Sequence, residues 1–275
     1  MRPRPNRNPA PQLVFSRLPM HLSRTSPGHL VVATMCAAAS VALALLTAAP
    51  GDARDASKRG RVVLGETAHM PRPVCPTPAG ESPAADKICQ GLGRVTGYQV
   101  EADGRHNPYK VRQPGTIVAW SIHLGDPDKK EQQFFETELA KSGPASARLA
   151  VLKPKDDRQY KLVKQSPVVQ LQSSLGENMV VTLTEPLRVR KGMIVAITTT
   201  TYVPNLALHG ASATDVWRAS RDPGQCGDES NDSAEENQAD LLKRSRPQQK
   251  VGGNRSYVCD YKSTRLLYTA FLATR

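Results

Sequence analysis

Aromatic residues make up only 5% of the chain, so a broad stacking surface for bases or sugars is not expected. The GxSxG, HExxH, Walker and GxGxxG motifs are absent. Their absence removes the commonest signatures of nucleophilic hydrolases, zinc proteases and nucleotide-binding proteins. It does not exclude an enzyme whose groups assemble from distant positions. No CxxC occurs either, which leaves redox thiol chemistry and a tightly spaced zinc site without support. Beyond residue 54, His69, His106, His123 and His209 are never two or four positions apart, so no metal-binding pair is encoded on one face of an element. Internal repeats and heptads are missing as well.

What is present begins with charge. Lys plus Arg outnumber Asp plus Glu by 37 to 25, a net charge of +12. Such a surplus favours solubility and attraction to anionic surfaces. The bases are scattered rather than interleaved with aromatics, so nucleic acid is not expected as a partner.

An uncharged run from Leu30 to Ala49 follows Arg2, Arg4, Arg7, Arg17 and Arg24 and precedes small residues. This layout predicts a secretory signal peptide over residues 1–53, cut after Ala53. If it is uncut, residues 30–49 serve as a membrane anchor, since about 20 apolar residues span a bilayer. Either way the remainder is exported: secreted or extracytoplasmic, or membrane-anchored with residues 54–275 outside. Met20 is an alternative start that would give a leader of more ordinary length. Cys36 follows Ala-Thr-Met rather than a lipoprotein box, so no lipid anchor is predicted.

Past the leader stand Cys75, Cys89, Cys226 and Cys259, an even set suited to an oxidising compartment. The local pairs Cys75–Cys89 and Cys226–Cys259 are expected. Residues 54–92 are rich in Pro, Ala and Gly and read as an extended arm stapled by its own short disulfide rather than by a core. From residue 93 short β-branched runs alternate with turn signals. In GTIVAWSIHL, Val118, Trp120, Ile122 and Leu124 are expected on one face, with Ile117, Ala119, Ser121 and His123 on the other. KKEQQFFETELAKSG reads as a short helix or irregular crossover. Pro154-Lys155-Asp156-Asp157, Asp103-Gly104 and Lys191-Gly192 mark turns. The fold expected is all-β, a single antiparallel β-sandwich of jelly-roll type over residues 93–275, with a flexible insertion at 227–255. Within that insertion, Asp228-Ser230-Asp232 resembles the start of a calcium loop, but Ser233 and Ala239 stand where Gly and the closing Glu belong. A solvated charge run is the expectation there.

The strand motifs GRVTGYQV, PGTIVAWSIHL, YKLVKQSPVVQL, TLTEPLRVRKGMIVAITTTTYVPN, WRASR and YVCDY together resemble a group of exported, largely uncharacterised actinobacterial proteins. The resemblance covers roughly residues 89–275 and implies a jelly-roll-like sandwich. It carries fold rather than function.

Candidate ligand-facing residues are Trp217 with Arg218, Arg221 and Tyr202, with Tyr257 and Tyr261 as possible contributors; Trp120 is expected in the core. Glu101, Asp103 and Glu185, with His106 and His123, are the groups an extracytoplasmic hydrolase would draw on. Arg188, Arg190 and Lys191 point outward around a turn, because Leu187, Val189, Met193, Val195 and Ile197 take the buried positions. The function expected is a non-enzymatic cell-envelope or extracellular binding or surface domain with no cofactor and no metal, its partner an anionic envelope polymer or polysaccharide. The alternatives are the hydrolase and a purely structural envelope protein tethered by its leader.

Overall fold

Runs rich in Val, Ile and Thr form strands because branched side chains pack well on a pleated surface, and the Gly, Asp and Pro between them reverse the chain. A computed structural model describes residues 60–75, 89–139, 143–208, 212–226 and 247–274. Its strands in chain order begin with β1 (Arg61–Leu64), β2 (Thr96–Ala102), β3 (Arg105–His106), β4 (Gly115–His123) and β5 (Ser146–Pro154). They continue with β6 (Gln159–Gln165), β7 (Val169–Gln170), β8 (Asn178–Val189), β9 (Ile194–Thr199) and β10 (Leu206–Ala207). The last are β11 (Val216–Ala219), β12 (Asn254–Ser256), β13 (Cys259–Lys262), β14 (Arg265–Leu266) and β15 (Tyr268–Thr274).

A four-stranded sheet has the order β1-β15-β4-β8. A larger one runs β12-β6-β5-β9-β2-β11-β13, with β3 and β7 attached and β10-β14 forming a short separate pair. The named strand pairs are antiparallel. Both sheets contribute to one hydrophobic core, in which Ile117, Trp120 and Ile122 meet Leu149, Val151, Val195 and Ile197. The Tyr268 hydroxyl of the small sheet donates to the Val195 carbonyl of the large one (3.1 Å). A short α-helix, α1 (Lys129–Phe134), starts at Asp128, whose carboxylate accepts from the Lys130 and Glu131 amides while Glu131 reaches back to the Asp128 amide. This reciprocal cap satisfies donors that a helix start otherwise leaves open.

Three expectations need correction. In β4, Ile117 is buried with Trp120 and Ile122 while Val118 is 37% exposed. The cause is a bulge: the partners of Ile117 and Ala119 are Leu272 and Phe271 on one side, Leu187 and Thr182 on the other, and Val118 has none. One extra residue reverses the alternation beyond it. The arm at 54–92 is not held by its disulfide alone. Arg61–Leu64 is an edge strand paired with β15, Leu64 is buried, and Cys75 and Cys89 belong to the core. The expected insertion 227–255 also ends too late. Residues 247–255 contain most of β12, and Gln248 is 4% exposed. Residues 227–246, with the acidic run considered for calcium, lie outside the described residues, as do the leader and residues 30–49.

Gln248 shows why this segment is fixed. Its amide donates to the Thr96 hydroxyl, and its side-chain nitrogen donates to the Tyr160 and Gly253 carbonyls (2.9 Å each). Its side-chain oxygen accepts from the buried Tyr257 hydroxyl (2.7 Å). Tyr257 in turn packs edge-on against Tyr160, with ring centroids 4.8 Å apart. The disulfides Cys75–Cys89 and Cys226–Cys259 are both formed, with Cα separations of 4.5 and 5.1 Å. Disulfides belong to oxidising, extracytoplasmic environments. Among the described residues no helix is long and apolar enough to cross a membrane.

Candidate anion-binding mouth

The residues singled out as ligand-facing do not converge. Trp217 and Arg218 are neighbours on β11, so their side chains leave opposite faces of the sheet. Trp217 is 5% exposed and stacks on Tyr261 at 4.5 Å; Gly97 leaves room for its ring, since a Cβ there would lie 2.9 Å from it. Arg218 turns to the other face and grips Asp260 through two bonds (2.6 and 3.0 Å), with the Tyr98 hydroxyl nearby. Burial alone would lower the Arg218 pKa, but the bonds to Asp260 and the neighbouring Tyr98 raise it overall. Arg221 is buried and donates to the Tyr261 hydroxyl and the Cys226 carbonyl, and burial depresses its pKa. Tyr202 is wholly buried elsewhere, stacked on Phe135 and donating to Gln172 (2.9 Å); burial pushes its hydroxyl up to about 12. Tyr257 is buried beneath Gln248. These contacts are packing, and none of them leaves an aromatic face open to a ligand.

Among the described residues, carboxylates do meet beside Arg265. Asp103 and the fully buried Asp215 share Arg265, 3.2 and 3.6 Å from its guanidinium, and the Asp103 amide donates to Asp215 (2.9 Å). Arg265 is 2% exposed and also bonds Thr67. Two acids tied to one buried cation are a tether between the hairpin β2–β3 and β14, in which the guanidinium offsets one of their two charges. Glu101 pairs with His106 across that hairpin (3.2 Å). His123 is half-buried, and burial with Arg72 nearby lowers its pKa. Glu185 is exposed on β8. Among the described residues no three metal-ligating side chains gather.

Elsewhere among the described residues lies a concave surface that is cationic. Two open concavities, of about 670 and about 530 Å³, adjoin at Gln113, which lines both. Arg188 and Arg190 with Lys164 surround the first; Arg105, His106, Lys110 and Arg112 surround the second. Neither lining contains an Asp, Glu, Phe, Tyr or Trp. Apolar residues also line them: Val163, Val189 and Met193 in one, Val62, Leu64 and Leu272 in the other.

Backbone pairing brings the two sets of cations together. Val111 donates to the Met193 carbonyl, and Gly192 donates back to the Val111 carbonyl (2.8 Å each). Val195 donates to Tyr109, and Lys110 bridges to Ile194. Lys110 and Arg112 therefore run alongside the turn that carries Arg190 and Lys191. Gly192 holds φ +89° there, a conformation that side chains other than Gly rarely adopt. On β8 the alternation Leu187, Arg188, Val189 buries the apolar members and exposes the arginine. Lys110, Arg112, Lys164, Arg188 and Arg190 make no ion pair among the described residues. Like charges along one concave surface repel one another, a cost that a bound anion relieves.

The sequence had marked Arg188 and Arg190 as outward, but nothing in it placed Arg105, Lys110 and Arg112 beside them. That proximity comes from a non-local pairing some 80 residues apart in the chain, between Val111 and Gly192. Fold and site thus define a mostly β, disulfide-linked protein with a cationic mouth. Comparisons of the chain with protein-family models, with curated proteins and with solved structures find no match.

Proposed function

We propose that the chain is an exported, non-enzymatic binding domain whose ligand is an anionic polymer of the cell envelope or extracellular space. Its sheets form a jelly-roll-like sandwich of the kind found in the exported actinobacterial proteins that its strand motifs resemble, and the ligand lies across the cationic mouth. The observation that carries this reading is the pair of adjoining concavities lined by six fixed positive charges and no acid. The disulfides support export. Among the described residues, the carboxylates that converge, Asp103 and Asp215, are both held by Arg265, which favours a tether over an acid–base pair there.

The test is affinity chromatography of the exported protein. Retention is expected on a polyanionic matrix at about 0.15 M salt, where surface charges still act over about 8 Å, with elution as salt rises. No retention is expected on neutral cellulose, chitin or dextran. Equal behaviour on charged and neutral matrices, or full retention by an Arg188→Glu/Arg190→Glu variant, would overturn the reading.

A further inference from the structure

We infer that the polymer is a linear phosphate polymer, and that it binds both concavities at once. This rests on the anion-binding reading above and narrows it in two ways, by charge type and by span.

The charge type follows from the side chains. Four of the six fixed cations are arginines: Arg105, Arg112, Arg188 and Arg190. A guanidinium offers a planar fork of donors that matches phosphate oxygens two at a time, whereas an ammonium acts as a point charge. Arg188 and Arg190 stand two residues apart, about 6.6 Å along an extended backbone. They therefore present separate forks to successive anionic groups. The lack of an aromatic in either lining removes the stacking platform that bases need and that sugar rings use. What remains is charge beside apolar Val, Leu and Met, which suits a phosphate chain without aromatic units.

The span follows from the topology. The second concavity is lined by β1 and β15, the first by the start of β4 and the end of β8, and these strands are consecutive neighbours in one sheet. Three inter-strand steps cover about 14 Å. Gly115 pairs with Val189 and with Thr274, so both concavities open at the same end of that sheet. A lone phosphate reaches one set of cations. A chain of several phosphates reaches both, and the second contact becomes intramolecular, which raises affinity without any new group.

The experiment titrates the intact exported protein at fixed salt with inorganic phosphate, tripolyphosphate, long-chain polyphosphate, poly(glycerol phosphate), poly-γ-glutamate and single-stranded DNA. It is repeated on Arg188→Gln/Arg190→Gln and on Arg105→Gln/Arg112→Gln, with thermal unfolding as the folding control, because all four side chains are exposed. Long polyphosphate and poly(glycerol phosphate) are expected to bind at least tenfold tighter than poly-γ-glutamate of equal charge. Each double variant is expected to lose at least tenfold and to abolish the advantage of long over short phosphate chains. Equal binding of poly-γ-glutamate overturns the phosphate assignment while leaving the anion-binding reading intact. DNA binding tighter than both phosphate polymers overturns it in favour of nucleic acid. Sensitivity to one pair of arginines alone overturns the two-concavity span. Absence of binding to every polyanion overturns the inference and the broader reading together.

Discussion

Removing the Cys226–Cys259 bridge tests what the longer disulfide does. The bond closes a loop with a sequence separation of 33, against 14 for Cys75–Cys89. In the chain-entropy model such a loop is worth about 3.7 kcal/mol, and the shorter one about 3. The site of attachment decides whether that stabilisation is global. Cys259 is 1% exposed and pairs with Ala219, so the bridge ties Cys226 directly to the β11–β13 ladder. The Tyr261 hydroxyl donates to the Cys226 carbonyl (2.9 Å), and the Tyr261 ring carries Trp217. Cys226→Ala/Cys259→Ala should therefore lower Tm by about 7–15 °C, using about 2–4 °C per kcal/mol for a domain of this size. Trp217 emission should shift to the red below the main transition, as the edge of the sheet loosens first. Trp217 and Trp120 are the two tryptophans of the chain, so a Trp120→Phe background isolates the signal. A Tm loss under about 3 °C with unchanged Trp217 emission would show that the bridge tethers only the intervening segment and not the sheet.

Three further outcomes follow from particular contacts. Gly97→Ala puts a Cβ 2.9 Å from the Trp217 ring and 3.3 Å from the Arg218 carbonyl, so it should cost about 1–3 kcal/mol in denaturant unfolding; neutrality within about 0.5 kcal/mol would mean that Trp217 sits elsewhere. Gln248→Ala strips partners from the buried Tyr257 hydroxyl and from the Tyr160 and Gly253 carbonyls, for a loss of about 2–3 kcal/mol; the companion Tyr257→Phe/Gln248→Leu should recover part of it, and no recovery would contradict the pairing. Alkaline stability should also fall steeply. Burial raises the pKa of Tyr98, Tyr109, Tyr257 and Tyr268, so the folded state keeps protons that the unfolded chain releases above about pH 10. Their contribution is complete below that pH and declines above it, by up to about 1.4 kcal/mol per pH unit per tyrosine. A flat stability curve between about pH 9.5 and 11.5 would contradict their burial.

The class of the fold was readable because it rests on local signals. Asp103-Gly104 and Lys191-Gly192 reverse the chain as their residues require, with Asp103 at φ 48° and Gly192 at φ 89°. The two disulfides followed from an even cysteine set with short separations. Phase and faces were less readable. The Val118 bulge exists because both neighbouring strands skip that residue, and the alternation within GTIVAWSIHL carries no trace of its partners. Arg61–Leu64 sits in a Pro-rich arm and becomes a strand only because the β15 edge is there to pair with it. Trp217 and Arg218 look like one cluster in the sequence, yet adjacent residues of a strand point apart. The cationic mouth was half readable: the exposed arginines of β8 show in their alternation, whereas Arg105, Lys110 and Arg112 reach them through the pairing of Tyr109–Val111 with Gly192–Val195.

Hydrogen exchange with and without long-chain polyphosphate tests the central claim most directly, because it locates the contact. Protection is predicted in peptides covering 105–116 and 188–193, and it should vanish in Arg188→Gln/Arg190→Gln. Protection confined to the stretch around Lys243, Arg244 and Arg246, or absent from both segments of the mouth, would contradict the account.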